Sequence, residues 1–325
     1  MQKSEDQQLP VLVVDLGGTK IIIAVISHQG EIIARQNYNT LADEGPQAVI
    51  NRIFSGIEEV LNRNNLSLSR LSAISIAAAG IIDIKNGVIT EAPNLPGWHN
   101  IPLKSIVEER FKLTTFLIND ADAAALGEHR FGAGKGLSNL ILLTLGTGVG
   151  GGIIINGRLY LGSSGSAAEI GHMVIDVNGP KCRCGNNGCL EAFVSGSAIA
   201  VEAKSRIGQG GKSSLIEMVD GKIEDITAEK VYLAAEEGDS LASEVISRAA
   251  YYLGIGVVNL VNILNPEMVI IGGSVASMGD ILLEPVRQVV MGKAFPLLSQ
   301  SVKIVPARLG NDAGIFGAAI FALEQ

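Results

Sequence analysis

The chain has 325 residues, with 25 Lys and Arg against 33 Asp and Glu, a formal charge of −8, 47% hydrophobic residues and only 18% charged ones. That length suggests two domains, the apolar fraction excludes a disordered chain, and the acidic balance speaks against nucleic acid as a partner. Glycine is in excess, 39 of 325 residues or 12% against an average of about 7%, without a collagen period, so the fold needs many tight turns.

The start, Met1 to Pro10, is polar and carries two acids, unlike the basic and then apolar start of a secretory signal, so a cytoplasmic protein is expected. Val11 to Thr40 reads as three antiparallel strands, with turns at Gly17-Gly18 and at His28-Gln29-Gly30. Helical spacing over 45–63 (Val49, Ile53, Ile57, Val60, Leu61) is followed by strands at 71–79 and 116–118 and a helix over 121–131. The run Gly132-Ala133-Gly134-Lys135-Gly136 breaks the pattern and suggests a boundary near 120–135. Residues 140–161 then repeat the opening pattern: a strand at 140–145, the turn Gly146-Thr147-Gly148, a strand at 152–155, a hairpin turn at Asn156-Gly157 and a strand at 158–161. The six glycines of 139–157 argue against a membrane-spanning helix there. A cysteine-rich loop, a helix over 225–236, an apolar helix over 241–264 stopped by Asn265-Pro266, a strand at 268–271 running into Gly272-Gly273, a strand at 302–305 and an Ala/Gly-rich helix over 312–323 complete the chain.

This is an α/β pattern with an internal duplication, expected to form two lobes around a cleft into which each glycine turn points. We assign residues 1–120, joined by the terminal helix at about 312–325, to an N-terminal lobe and 121–311 to a C-terminal lobe carrying the cysteine loop.

Gly146-x-Gly148-x-x-Gly151 matches the dinucleotide-binding pattern, but a strand follows where that pattern requires a helix, so a nicotinamide dehydrogenase is rejected. A Walker loop is absent. Glycine turns between antiparallel strands can still bind phosphate through successive N–H groups. Asp15, Gly17, Gly18, Thr19 and Lys20 offer such a turn with a hydroxyl, an ammonium and a carboxylate able to hold Mg²⁺, while Gly146, Thr147 and Gly148 offer one without charge. Two ordinary hairpins are the alternative, and the flanking Asp and Lys count against it.

Cys182, Cys184 and Cys189 lie within eight residues, too few and too close for a disulfide framework, and His172 precedes them by ten. Three thiolates and an imidazole make a complete tetrahedral set, which suits structural Zn²⁺; three reduced thiols in a loop are the alternative. Asp120 follows a strand end and opens a helix, either as an N-cap or as the base that takes a hydroxyl proton during phosphoryl transfer. Asn and Glu side chains near these features suit a polyol, and Trp98 either packs beneath its loop or covers a sugar face. His28, His99 and His129 are expected at the surface.

The turns DLGGTK and GTGVGGG, E-x-G-H at 169–172, C-x-C-G-x-x-G-C-L-E at 182–191, Asn119-Asp120, P-N-L-x-x-W at 93–98 and NDAGIFGAA at 311–319 together resemble the ROK family (repressor, ORF, kinase), over nearly the whole chain. The resemblance implies an actin-like ATPase fold of ribonuclease H-like duplicated lobes, and an ATP- and Mg²⁺-dependent kinase acting on the 6-hydroxyl of a hexose. Glucose is the expected substrate, with N-acetylmannosamine, fructose or allose as alternatives. It implies Asp120 as base, sugar contacts from Asn94, Asn119, Asp120, Glu169, His172 and Glu191, an adenosine-side turn at Gly272 and Gly273, and a dimer or tetramer. The family's repressors carry an amino-terminal helix-turn-helix, for which Asp15 at the first turn leaves no room. The family often has G-x-P-G where this chain has Ala77-Ala78-Ala79-Gly80, so backbone contacts there are expected to differ.

Overall fold

The computed structural model describes residues 9–325; the polar start read above for a signal, residues 1–8, lies outside the described residues. In chain order the elements are β1 (Val11–Leu16), β2 (Lys20–Ile26), β3 (Ile32–Asn39), α1 (Pro46–Arg63), β4 (Ala73–Ala78), β5 (Ile81–Asp83), β6 (Val88–Glu91), β7 (His99–Ile101), α2 (Leu103–Phe111), β8 (Thr115–Asn119) and α3 (Asp120–Arg130). There follow β9 (Leu140–Leu145), β10 (Val149–Ile155), β11 (Arg158–Leu159), α4 (Glu191–Val194), α5 (Gly196–Gly208), α6 (Leu215–Met218), α7 (Ala228–Glu236), α8 (Ser240–Leu264), β12 (Met268–Gly272), α9 (Asp280–Lys293), α10 (Pro296–Ser301), β13 (Lys303–Pro306) and α11 (Ala313–Leu323). They form two compact units, one of residues up to 136 with 159–167 and 311–325, the other of 137–158 and 168–310.

In the first unit the sheet order is β3-β2-β1-β4-β8, with β1, β2 and β3 antiparallel and β4 and β8 parallel to β1. Val11 to Val14 and Ile21 to Ile26 are buried without alternation, as strands covered on both faces must be. The stripe Val49, Ile53, Ile57 and Val60 brings α1 onto Leu12, Val14, Ile23 and Ile76. Helix α11 lies against β1 and β4 and packs closely on α3. Its small residues permit this: a Cβ on Gly317 would overlap the Ala123 carbonyl, and one on Gly127 the Ala313 carbonyl. That interlock corrects the expected boundary at 120/121, because α3 cannot leave α11 and the first unit therefore runs to Gly136. A small antiparallel sheet, β5-β6-β7, was not read from the sequence. Trp98, between β6 and β7, is fully buried in the core, which decides for packing over a sugar-covering role.

The second unit repeats the arrangement as β11-β10-β9-β12-β13, with β10 antiparallel and β12 parallel to β9, and β13 parallel to β12. Helix α8 is long and apolar enough by composition to cross a membrane, but Val245, Leu253, Val257 and Val261 are buried in the core and α7 and α9 pack against it. Asp239 caps its start, accepting from the Ala242 N–H at 2.8 Å, and Asn265 ends it in the left-handed region before Pro266. Strand β10 begins at Val149, three residues before the expected start, so Gly150, Gly151 and Gly152 belong to a strand. A Cβ on Gly151 would sit 2.6 Å from Ile170 Cδ1 and 2.7 Å from the Ala168 carbonyl, so this glycine makes room for the segment that leads to His172.

Candidate active site

The turn after β1 is bonded back into its own sheet. Thr40, fully buried, donates its hydroxyl to the Gly17 carbonyl (2.7 Å) and its N–H to the Thr19 carbonyl (2.9 Å). The N–H groups of Gly18 and Thr19 have no acceptor among the described residues, so the turn presents donors. A Cβ on Gly18 would lie 2.8 Å from the Asn94 carbonyl, which places the exposed Asn94 beside this turn.

Asp15 lies just before the turn, with Gly314 of α11 against it: a Cβ there would stand 3.3 Å from Asp15 Oδ2. Burial pushes the Asp15 carboxyl up to about 7, the charge of Asp120 adds to the rise, and Arg35 opposes it. Arg35 is itself held by Asp312 at 2.6 Å, at the start of α11. A carboxyl so disfavoured as an anion suits a cation beside it.

Asp120 is the first residue of α3, and the cap is its neighbour. Asn119 Oδ1 accepts from the N–H groups of Ala121 (2.8 Å) and Asp122 (3.2 Å), while Asn119 Nδ2 donates to the Gly80 carbonyl (3.0 Å). The Asp120 carboxylate therefore only shares in the cap, its Oδ1 accepting the same Ala121 N–H (2.9 Å). Burial raises its pKa against that N–H and its own, which favour the anion. Gly80 is thus a bracket for Asn119, and Ala77 and Ala78 are buried within β4.

In the second unit the turn after β9 is bonded to the start of α5. The Gly196 N–H donates to the Gly146 carbonyl (2.8 Å), Ser197 Oγ donates to the Thr147 carbonyl (2.9 Å), and the Gly146 N–H donates to the Gly148 carbonyl (2.9 Å). The N–H groups of Thr147 and Gly148 have no acceptor among the described residues. A cavity of about 610 Å³ opens beside this turn, walled by Ser197, Ile226, Tyr232, Ser274 and Met278 among others. Gly272 and Gly273 do not line it: a Cβ on Gly273 would overlap the Leu145 carbonyl, and the residues just after them that reach the cavity are Ser274, Val275, Ser277 and Met278.

His172, Cys182, Cys184 and Cys189 converge, with one ligand atom of each within 4.8 Å of all the others. Cys184 Sγ and Cys189 Sγ are 3.6 Å apart, and Cys182 Sγ lies 3.8 Å from His172 Nδ1. Zn–S bonds of about 2.3 Å and Zn–N bonds of about 2.0–2.1 Å imply tetrahedral edges of about 3.5–3.8 Å, so the set fits that ion. Burial first, and then the neighbouring thiols, push Cys189 up to about 12, and burial raises Cys182; the Asn186 N–H lowers Cys184. Three thiols so crowded need a dication to ionise together. Gly188 adopts φ +70, where a Cβ would overlap the Asp176 carbonyl, a position open only to glycine, and so closes the loop. Glu191 joins this loop to the phosphate-type turn: Oε2 accepts from the Val149 N–H (2.9 Å) and Oε1 lies 3.6 Å from Cys182 Sγ.

The ROK family model matches residues 11–325. The chain is 40% identical over 313 residues to a glucokinase of Halalkalibacterium halodurans, covering 96% of this chain and 94% of that one. It is 36% identical to a xylose repressor of Caldicellulosiruptor bescii, covering 97% of this chain and 78% of the repressor. A crystal structure of a ROK glucokinase from Streptomyces griseus in complex with glucose and AMPPNP superposes with a TM-score of 0.83 at 34% identity, covering 97% of this chain and all of the other.

The chain belongs to the ROK family. Within it the chain is a sugar kinase closely related to glucokinases, an ATP:hexose phosphotransferase.

In this ROK kinase the residues singled out from sequence divide between the units. Asp15, Gly17, Gly18, Thr19, Lys20, Asn94, Asn119 and Asp120 belong to the first; Gly146, Thr147, Gly148, Glu169, His172, the three cysteines, Glu191, Gly272 and Gly273 belong to the second. Glu169 is exposed and begins the short turn that carries His172, whose N–H donates to the Glu169 carbonyl at 3.0 Å. His28 and His99 are exposed and His129 half-buried, and none joins the metal cluster. The sequence did not reveal Thr40, Ser197 or the cavity wall at 226–232. A threonine or serine that holds a distant carbonyl leaves no mark in spacing; in the structure Ser195 caps α5 through the Ala198 N–H, which brings Ser197 onto the first turn of that helix.

Proposed function

We propose that this kinase transfers the γ-phosphoryl group of ATP to the 6-hydroxyl of glucose, with Asp120 as the base. The observation that carries the proposal is the division of labour at α3: Asn119 takes the N-cap position, which leaves a half-buried, raised-pKa carboxylate just after β8 for chemistry. Asp120 orients the hydroxyl and accepts its proton as the oxygen bonds to phosphorus and the bond to the β-phosphate oxygen breaks, giving the sugar phosphate and ADP. The raised pKa helps, since a carboxylate destabilised by burial is the stronger base.

Asp15 would hold Mg²⁺, and that ion, when bound, neutralises charge on the phosphates. His172, Cys182, Cys184 and Cys189 would hold Zn²⁺ with no ligand position left open, in keeping with a structural role and with thiols kept reduced in the cytoplasm. With Nδ1 committed to the metal, His172 keeps Nε2–H for a sugar hydroxyl. The other sugar contacts are assigned to Asn94, to the remaining amide hydrogen of Asn119, and to Glu169 and Glu191. The donors at Gly18, Thr19, Thr147 and Gly148, with Lys20, are assigned to phosphate, and the cavity beside Thr147 to adenosine. The actin-like two-lobed cleft belongs to the same proposal and rests on family membership. ADP release measured over glucose, mannose, N-acetylmannosamine, fructose and allose tests the substrate: glucose should give the highest kcat/KM, and another hexose ahead of it by tenfold would overturn the choice of glucose.

A further inference from the structure

We propose that Arg183 and Ser197 position the Thr147 turn for phosphate, so that the metal loop serves the nucleotide side of the reaction. The inference rests on the kinase function proposed above. Arg183 stands between two of the clustered cysteines, and its Nη2 donates to Ser197 Oγ at 3.2 Å. Ser197 Oγ in turn donates to the Thr147 carbonyl at 2.9 Å. A hydroxyl has a single proton to give. Arg183 occupies an acceptor side of that oxygen, and the proton is left for Thr147.

Thr147 C=O and Gly148 N–H belong to one planar trans peptide unit, in which the two bonds point opposite ways. Holding the carbonyl on Ser197 therefore fixes the Gly148 N–H on the other side, away from α5. The Gly196 N–H does the same to the preceding peptide through the Gly146 carbonyl, fixing the Thr147 N–H. Two donors are left parallel and unpaired, a small anion-binding nest. Rotation of the Thr147–Gly148 peptide would replace a donor with a carbonyl oxygen facing the phosphate, and a glycine on one side of that peptide lowers the resistance to such rotation. Ser197 opposes that rotation, and Arg183 acts only through Ser197. Glu191 supports the far end of the turn from the Val149 N–H, so the metal loop and the helix that follows it touch the turn on both sides.

The test uses the full chain with its metal and measures binding of a non-hydrolysable ATP analogue and of adenosine. Ser197→Ala should weaken the analogue about threefold to tenfold, the range a single lost hydrogen bond gives. Arg183→Ala should weaken it less, and the double variant should match Ser197→Ala, since one acts through the other. Adenosine should lose less than the analogue in Ser197→Ala, whose side chain also walls the cavity assigned to adenosine, and should be unaffected by Arg183→Ala, which lies outside that wall; the KM for the hexose and the metal content should stay at wild-type values, and Ser197→Thr, which keeps the hydroxyl, should restore the analogue. Unchanged analogue binding in Ser197→Ala, equal losses for adenosine and analogue, or independent effects in the double variant would overturn the inference and leave the kinase function standing. Wild-type protein that binds no analogue would overturn the kinase function and this inference with it.

Discussion

At the end of β1, Thr40 holds the carbonyls of Gly17 and Thr19; at the end of β9, Gly196 and Ser197 hold those of Gly146 and Thr147. In each turn two carbonyls are held by protein and two N–H groups are left over, which is what an anion requires. The means differ. The first turn is tied within its own sheet, by the residue after β3, and carries its own charges in Asp15 and Lys20. The second has no charged residue, is tied to a helix, and takes its charged neighbours from a metal loop, through Arg183 and Glu191. The same sheet order therefore comes with the same donor geometry, whereas the charged groups beside the two turns differ.

The largest effect expected from this difference lies in the first unit. Asp120→Asn should lower kcat on the order of 10² to 10⁴-fold, the usual contribution of a positioned base, while hexose affinity stays within about twofold because Asn119 keeps the helix cap. A single-turnover measurement beside equilibrium hexose binding checks this, and a parallel loss of both would break the assignment of chemistry to this unit. Removing the metal should act on the second unit. Chelation is expected to lower activity about tenfold to a hundredfold, with recovery on adding zinc, because Glu191 and Arg183 lose their fixed loop. Full activity in protein shown by metal analysis to be zinc-free would contradict the link between loop and turn. The smallest effect separates two glycines of one turn. A Cβ on Gly148 would lie 2.5 Å from Glu191 Oε2, whereas one on Gly146 meets nothing within 4 Å. In thermal denaturation Gly148→Ala should cost about 1 kcal/mol, as Glu191 Oε2 moves aside and gives up the Val149 N–H, and Gly146→Ala less than about 0.5 kcal/mol. Equal losses would mean that Glu191 does not brace the turn.

The parts of the fold that follow local pattern were legible in the sequence: the β1 to β3 meander, the Leu140–Leu145 strand, the long α8 with its Asn-Pro stop, and the repeat of one sheet pattern. The metal cluster was legible too, because ligand spacing is local and the chemistry of three thiols and an imidazole is narrow. What was not legible depends on contacts distant in sequence. Gly151 looks like its neighbours Gly146 and Gly148, yet it makes room for Ile170 in place of a ligand, and only packing tells the two uses apart. The same holds for Gly273, set against Leu145, and for Gly317 and Gly127, whose interlock moved the unit boundary to Gly136. The glycine excess thus divides between backbone that can meet ligands and backbone that meets other backbone. Asp120 shows the reverse case: the N-cap position that its place in the sequence offered it falls to its neighbour, Asn119, whose Oδ1 accepts from the Ala121 and Asp122 N–H groups.

The central claim is that the chain uses ATP to phosphorylate the 6-hydroxyl of a hexose. Phosphorus NMR of wild-type protein incubated with Mg²⁺, ATP and glucose tests it most directly. The account predicts glucose 6-phosphate and ADP accumulating in equal amounts; ADP with only inorganic phosphate, a sugar phosphorylated at another hydroxyl, or no reaction would contradict it.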